Sequence, residues 1–360
     1  MKKLTDLLEH VEYKCLQGTM DKNITSVVYD SRKAEPGCLF LCIKGAVSDG
    51  HSYAASVAEK GAEVLVVQEP VDVPEDVTVL QVKDSRYAMA CIAAAWFDYP
   101  AKKLKTIGIT GTKGKTTTTY LVKSILENAG HKTGLIGTIE TIIGDTRIPS
   151  ANTTPESYLV QEYFAKMAEA GCDSVVMEVS SQGLMLHRTA GFTFDIGIFT
   201  NIEPDHIGPN EHKDFADYLH CKSLLFKQCK VGIFNGDDPH VEEVLEGHTC
   251  DVETFGFSQN ADLRAENTRL VTGKGTLGIA YDLKGLLDFP VEIDLPGKFS
   301  IYNSLTAIAV CRHFGVSKED IQKALKAAKV KGRIEMVKVS EDFTLMIDYA
   351  HKIGRASCRE

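Results

Sequence analysis

No run of about eighteen apolar residues occurs in this chain, which excludes a membrane-spanning helix. The N-terminal stretch MKKLTDLLEHVEYK has two lysines but is broken by polar and acidic residues every few positions. It lacks the apolar centre of a secretory signal, so a cytoplasmic protein is expected. Ten cysteines are present, yet none forms a CxxC pair. Cys38 and Cys42 are the only close pair, and no His or Cys cluster follows to complete a metal site. Reduced, structural thiols are expected. Basic blocks and basic–aromatic interleaving are missing, and the net charge is −9, which argues against nucleic acid as a partner. Internal repeats and low-complexity tracts are absent too. What remains is ordinary globular composition: 360 residues, 44% hydrophobic and 25% charged, enough for two or three domains.

The first hundred residues mix strand and helix signals. VVYDSR ends in a polar turn, PGCLFLCIKG reads as a strand closed by Gly45, and HSYAASVAEKGAEVLVV reads as helix, glycine stop and strand. The polar, basic segment DYPAKKLK marks a domain boundary. From Lys105 the pattern is β then α, repeated. KTIGITG is a short buried strand, and TTTTYLVKSILENAG carries Leu121, Val122, Ile125, Leu126 and Ala129 at helical spacing before Gly130. DSVVMEVSS, DIGIFTNI and VGIFNGDD are short apolar strands with polar ends. Such alternation predicts an α/β fold with a largely parallel sheet covered on both faces, whose ligands gather at the carboxyl ends of the strands. Residues 251–296 are strand-like and glycine-rich. The helices YNSLTAIAVCRHFG and SKEDIQKALKAA follow, and VKGRIEMVKVSEDFTLMIDYAH begins a further strand pair.

The sharpest motif is G-x-x-G-K-T, from Gly111 to Thr116, between a strand and a helix. Glycines let backbone N–H groups turn toward an anion, and the helix N-terminus adds partial positive charge. Thr112, Lys113, Gly114 and Thr117 complete the loop; Lys115 can reach terminal phosphates, and the Thr116 hydroxyl can ligate Mg²⁺. The loop is shorter than a standard P-loop, since Ile109 stands where the first glycine would be. Glu178 and His206 follow neighbouring strands, and a carboxylate and an imidazole at that edge can hold Mg²⁺ and the phosphate it bridges. Either could instead be an ordinary solvated or scaffold residue. Lys222, in KDFADYLHCKSLLFKQ, has Tyr218, Leu219, Leu225 and Phe226 at helical spacing around it. That puts an ammonium in the middle of an apolar face, where it must snorkel to water or change its chemistry.

TGTKGKTTT resembles the ATP loop of Mur ligases and folylpolyglutamate synthases. YDSRKAEPGCLF, SANTTPES, VMEVSSQGLMLHR, FTNIEPDHIG, YLHCKSLLF, FNGDD, LPGKFSIYNSLTA, GRIE and IDYAH occur in the order seen in Mur ligases of the type that adds a third amino acid to UDP-N-acetylmuramoyl-L-Ala-D-Glu. The resemblance spans about residues 25–351. It implies an ATP- and Mg²⁺-dependent amide ligase of peptidoglycan synthesis, monomeric, working through an acyl phosphate. It implies Mg²⁺ ligation by Thr116, Glu178, His206 and a carbamylated Lys222, and catalysis by Lys115 with these groups. It also implies substrate contacts from Ser31, Thr153, Thr154, Ser181 and Arg188. Asn303 would meet adenine, and Arg333 and Asp348 would approach ATP from a third domain. Two departures stand out: Ser300 replaces a family asparagine, and Lys113 stands where many relatives have Asn, adding positive charge to the loop.

Read by residues alone, Ser31 sits in an ordinary Asp-Ser turn and Thr154 caps a helix that starts at Pro155. The domains expected are 1–102 for the UDP-sugar, 103–331 for ATP, and 332–352 as the start of a Rossmann-like C-terminal domain that is mostly missing. IGRASCRE, within 353–360, has no helical or strand period and looks like translated sequencing adapter; the chain as it stands is expected not to complete ligation. The acceptor amino acid is either L-lysine or meso-diaminopimelate, and FTNIEPDHIGPNEH leans toward lysine. A folylpolyglutamate synthase-like ligase and a non-catalytic nucleotide-binding fragment remain alternatives.

Overall fold

The computed structural model describes residues 1–45, 48–209, 211–273, 276–330, 335–338 and 344–347. Arg333 and Asp348 lie outside the described residues. The N-terminal unit is a five-stranded sheet in the order Tyr13–Gln17, Thr78–Val82, Val64–Val67, Cys38–Leu41, Ser26–Val28. All neighbours are parallel except the first pair. Its three central strands are buried on both faces, while the edge strand Tyr13–Gln17 is mostly exposed. Leu39 and Leu41 face a core with the helix Ser85–Trp96, whereas Cys38 and Phe40 face one with the helix Ala54–Glu59. That alternation follows from the two-residue period of a strand. Asp84 caps the helix Ser85–Trp96, accepting from the N–H groups of Arg86 and Tyr87.

The second sheet has eleven strands. Its parallel centre runs Thr133–Ile136, Ser174–Glu178, Lys105–Thr110, Phe194–Phe199, Cys229–Asn235, Asp251–Gly256 and Leu263–Gly273. Antiparallel strands extend both margins: Glu140–Ile143 and Thr146–Pro149 on one side, Thr276–Gly285 and Phe289–Ile293 on the other. The strands between residues 133 and 149 were not expected from the sequence. Lys105–Thr110 lies between Ser174–Glu178 and Phe194–Phe199, so three strand ends meet at one edge.

The helix Lys115–Asn128 follows the central strand and buries Leu121, Val122, Ile125 and Leu126 against the sheet and the helix Lys298–Arg312. Each such side chain contributes about 1.5–3 kcal/mol relative to exposure. Ser317 caps the helix Lys318–Lys326 as its sequence suggests. Two further boundaries differ from expectation. The helix after NTTPE runs Ser157–Glu169 with Glu156 at its N-cap, so Pro155 lies before the helix instead of at its first turn. The helix around Lys222 ends at Ser223 and tightens into a 3₁₀ turn over Leu224–Lys227.

Candidate functional site

The phosphate loop occupies the meeting point of the three strand ends. Gly111 has φ +144, and a Cβ there would lie 2.0 Å from Thr200 Oγ1; at Gly114, φ +91, it would lie 2.5 Å from Asn303 Oδ1. Only glycine fits either position. The turn is pinned from the Phe194–Phe199 side. Thr112 N–H donates to the Asn201 carbonyl, Lys113 N–H to Asn201 Oδ1, and Thr200 Oγ1 to the Lys113 carbonyl, at 2.9, 2.9 and 2.8 Å. Thr200 and Asn201 were not singled out from the sequence. The dipeptide after DIGIF was their signal.

Lys115 Nζ donates to the carbonyls of Gly111 and Thr112 at 2.8 and 3.3 Å. The Lys113 ammonium pairs with Glu203, so its charge is balanced locally and does not simply add to the loop. Thr116 Oγ1 donates to Glu178 Oε2 at 3.0 Å. The Glu178 carboxylate is 1% exposed and also accepts from Thr138 N–H and Thr138 Oγ1, both at 2.9 Å. A buried carboxylate matched by neutral donors is an electron-rich oxygen site, and that donor set suits a hard cation such as Mg²⁺. His206 has a left-handed backbone, φ +53, and its exposed ring pairs with Glu211 at 3.1 Å.

Lys222 does not snorkel. It is 2% exposed, its Nζ donates to the Gly111 carbonyl at 3.0 Å, and it stands 4.5 Å from the centre of the Tyr218 ring. Desolvation, and then the charge of Lys115, push its ammonium well below the ordinary lysine range. Tyr218 in turn bonds Thr112 Oγ1 at 3.0 Å, and burial raises its phenol to about 12.

One cavity of about 280 Å³ is lined by Thr112–Thr117, Thr138, Asn152–Thr154, Glu178, Ser180, Gln182, Arg188, Asp205 and His206, whereas Lys222 lies behind the Gly111 carbonyl and is not part of the lining. Of the residues expected to contact substrate, Thr153 and Arg188 line it. Thr154 lines it, but its hydroxyl already donates to the Glu178 carbonyl at 3.0 Å and accepts from Ser180 N–H at 2.9 Å, so it braces the wall. Ser181 is a correction. It is buried against His212 Nε2 at 2.8 Å, while its neighbour Ser180 faces the cavity. Ser31 lies apart, on the 3₁₀ turn Ser31–Lys33 beside Asp30, whose carboxyl Arg32 holds at about 2. Asn303 is 5% exposed and accepts from Thr118 Oγ1 at 3.4 Å, against the outer side of the loop.

Comparison with known proteins gives this geometry a lineage. The model described as "Mur ligase middle domain" matches residues 109–311, and "Mur ligase family, catalytic domain" matches residues 23–97. The chain belongs to the Mur ligase family. Among curated relatives of this Mur ligase is UDP-N-acetylmuramoyl-L-alanyl-D-glutamate–2,6-diaminopimelate ligase 1 of Clostridium acetobutylicum, 43% identical over 354 residues, covering 97% of this chain and 72% of the relative. A solved UDP-N-acetylmuramoyl-L-alanyl-D-glutamate–2,6-diaminopimelate ligase superposes with a TM-score of 0.82 at 22% identity, covering 98% of this chain and 72% of that one. MurF ligase from Thermotoga maritima, solved in complex with ADP, superposes with a TM-score of 0.56 at 17% identity, covering 87% and 68%. At those identities the two structures speak for the fold, and no helix among the described residues of this Mur ligase is long and apolar enough to cross a membrane.

Proposed function

We propose that the chain catalyses, or forms the nucleotide-binding part of an enzyme that catalyses, ATP-driven amide formation between UDP-N-acetylmuramoyl-L-alanyl-D-glutamate and a diamino acid. The observation that carries this is the single cavity in which the phosphate loop, the Thr116–Glu178 pair and Arg188 converge. The name of the 43% identical relative supports 2,6-diaminopimelate as the amino acid, in place of the lysine toward which FTNIEPDHIGPNEH leans.

In this reading a substrate carboxylate oxygen bonds to the γ-phosphorus of ATP. The P–O bond to ADP breaks, and its electron pair leaves with ADP. The amine of the incoming amino acid then bonds to the acyl carbon, loses a proton and expels phosphate. The chain's own contribution is positioning and charge stabilisation. Lys115 exchanges the Gly111 and Thr112 carbonyls for β- and γ-phosphate oxygens, and the loop N–H groups cradle the same phosphates. Arg188 and Thr153 orient the peptide end, and Ser31, on the N-terminal unit, is a candidate contact for the nucleotide end. Asn303 backs the loop on the adenine side. Thr116, Glu178, His206 and a carbamylated Lys222 would hold Mg²⁺, which when bound neutralises phosphate charge. The buried, easily deprotonated Lys222 amine is suited to that modification: it adds to CO₂, releases a proton and becomes a carboxylate-like anion.

The test is ADP release with UDP-N-acetylmuramoyl-dipeptide present and absent, with hydroxylamine added to trap acyl phosphate as a hydroxamate. ADP release and hydroxamate are expected only with the dipeptide nucleotide, and product mass with meso-diaminopimelate or L-lysine reads the amino acid. Absence of nucleotide and dipeptide binding together would overturn the reading.

A further inference from the structure

Arg188 faces the cavity, but what holds it there lies on two other elements. Glu156, at the N-cap of the helix Ser157–Glu169, makes no capping bond. Its carboxylate instead bridges two guanidinium groups: Oε1 pairs with Arg188 at 2.8 Å and Oε2 with Arg86 at 2.9 Å. Arg86 belongs to the helix Ser85–Trp96 of the N-terminal unit. The three side chains are 15–23% exposed, so solvent screens them only in part. A second bond, to the Thr154 carbonyl at 3.1 Å, fixes the other arm of Arg188, while its buried Nε has no partner. The same junction carries His187 beside Asp84 at 3.5 Å and edge-on to Tyr87.

One carboxylate between two guanidiniums leaves a net positive charge, and Arg188 is the member that reaches the cavity. We infer that Glu156 is a positioning residue: it fixes Arg188 for the anionic peptide end of the substrate and ties that arginine to the unit carrying Ser31. This inference rests on the function proposed above. The two ends of one extended anionic substrate are thereby read at a set separation. Loss of the Glu156 charge would free Arg188 to adopt other rotamers and leave two guanidiniums facing each other without their shared counter-ion.

The experiment measures binding of UDP-N-acetylmuramoyl-L-Ala-D-Glu, of UDP alone and of a non-hydrolysable ATP analogue by calorimetry. Glu156→Gln is expected to weaken the dipeptide nucleotide about tenfold, with UDP and the ATP analogue within about twofold of the parent. Arg86→Gln is expected to weaken the dipeptide nucleotide less, and the double variant to bind no worse than Glu156→Gln, because Arg86 acts through Glu156. Equal losses for all three ligands, no loss for any, or additive losses in the double variant would each overturn the inference. A parent chain that binds none of the ligands would instead overturn the proposed function, so the two failures are distinct.

Discussion

Gly111 is the residue on which the phosphate loop turns, and its carbonyl receives both Lys115 and Lys222. Gly111→Ala would drive a Cβ to 2.0 Å from Thr200 Oγ1. We predict lost nucleotide binding and a lowered melting temperature for that variant. Lys115→Ala should keep the fold and lose about a hundredfold or more in dipeptide-dependent ADP release, the scale of one preorganised charge partner; near-parental turnover would remove Lys115 from the phosphate site. Lys222→Ala should also lose turnover and regain part of it with short carboxylic acids, and the intact protein should show a carbamate at Lys222 by mass spectrometry. Unmodified lysine in fully active protein would contradict this. Lys222 was legible because helical spacing alone surrounds it with apolar neighbours. Ser181 was not. Which of two adjacent serines meets the cavity depends on the helix starting after Ser180, and spacing resolves such boundaries only to within a residue or two.

Elements were legible where burial is two-sided and unbroken. Lys105–Thr110, Ser174–Glu178 and Phe194–Phe199 are continuous apolar runs with polar ends, which reads as parallel strands. The stretch TGLIGTIETIIGDTRIP holds three strands of four residues each, broken by Gly137 and Gly144, so no period could accumulate. At the far side of the sheet, the strand Asp251–Gly256 is tied to the end of the helix Lys298–Arg312. Glu253 pairs with Arg312 and with His313, the latter at 3.1 Å, and the Arg312 cation suits a helix C-terminus. Burial alone would raise the Glu253 carboxyl, but hydrogen bonds from His313 and Arg312 outweigh it and hold it at about 2. A carboxyl depressed in the folded state stabilises above its unfolded value of 4.5, and that contribution is lost as pH falls toward 2. Glu253→Gln should therefore melt below the parent at pH 7, with the gap closing as pH drops through this window. A gap that stays constant with pH would show that the pair contributes no linked stability.

At the scale of the whole molecule, the buried residues sort into separate cores. Those of the N-terminal unit come from residues 4–95, and those of the central unit from residues 104–330. Among the described residues, the junction carries two sets of ion pairs, Arg86–Glu156–Arg188 and Asp84–His187. It also has apolar contact: the helices Ser85–Trp96 and Ser157–Glu169 pack together, Tyr158 meets Tyr29 and Phe97 at ring separations of 5.7 and 5.3 Å, and Gly191 lies against Ala90 and Ala94. Two cores joined by such a contact need not unfold together. Calorimetry of the chain without ligand should therefore resolve two transitions. UDP alone, engaging the N-terminal unit, should raise one of them. UDP-N-acetylmuramoyl-L-Ala-D-Glu, which would span from Ser31 to Arg188, should raise both and draw them together. At a hundred times its dissociation constant it adds about 2.7 kcal/mol to whatever unit must release it on unfolding. In Glu156→Gln the same ligand concentration should draw the two transitions together less, because Arg188 is no longer held toward the peptide end of the ligand. A single transition without ligand, with equal calorimetric and van't Hoff enthalpies, would show that the two cores form one cooperative unit and that the junction is stronger than its polar contacts imply.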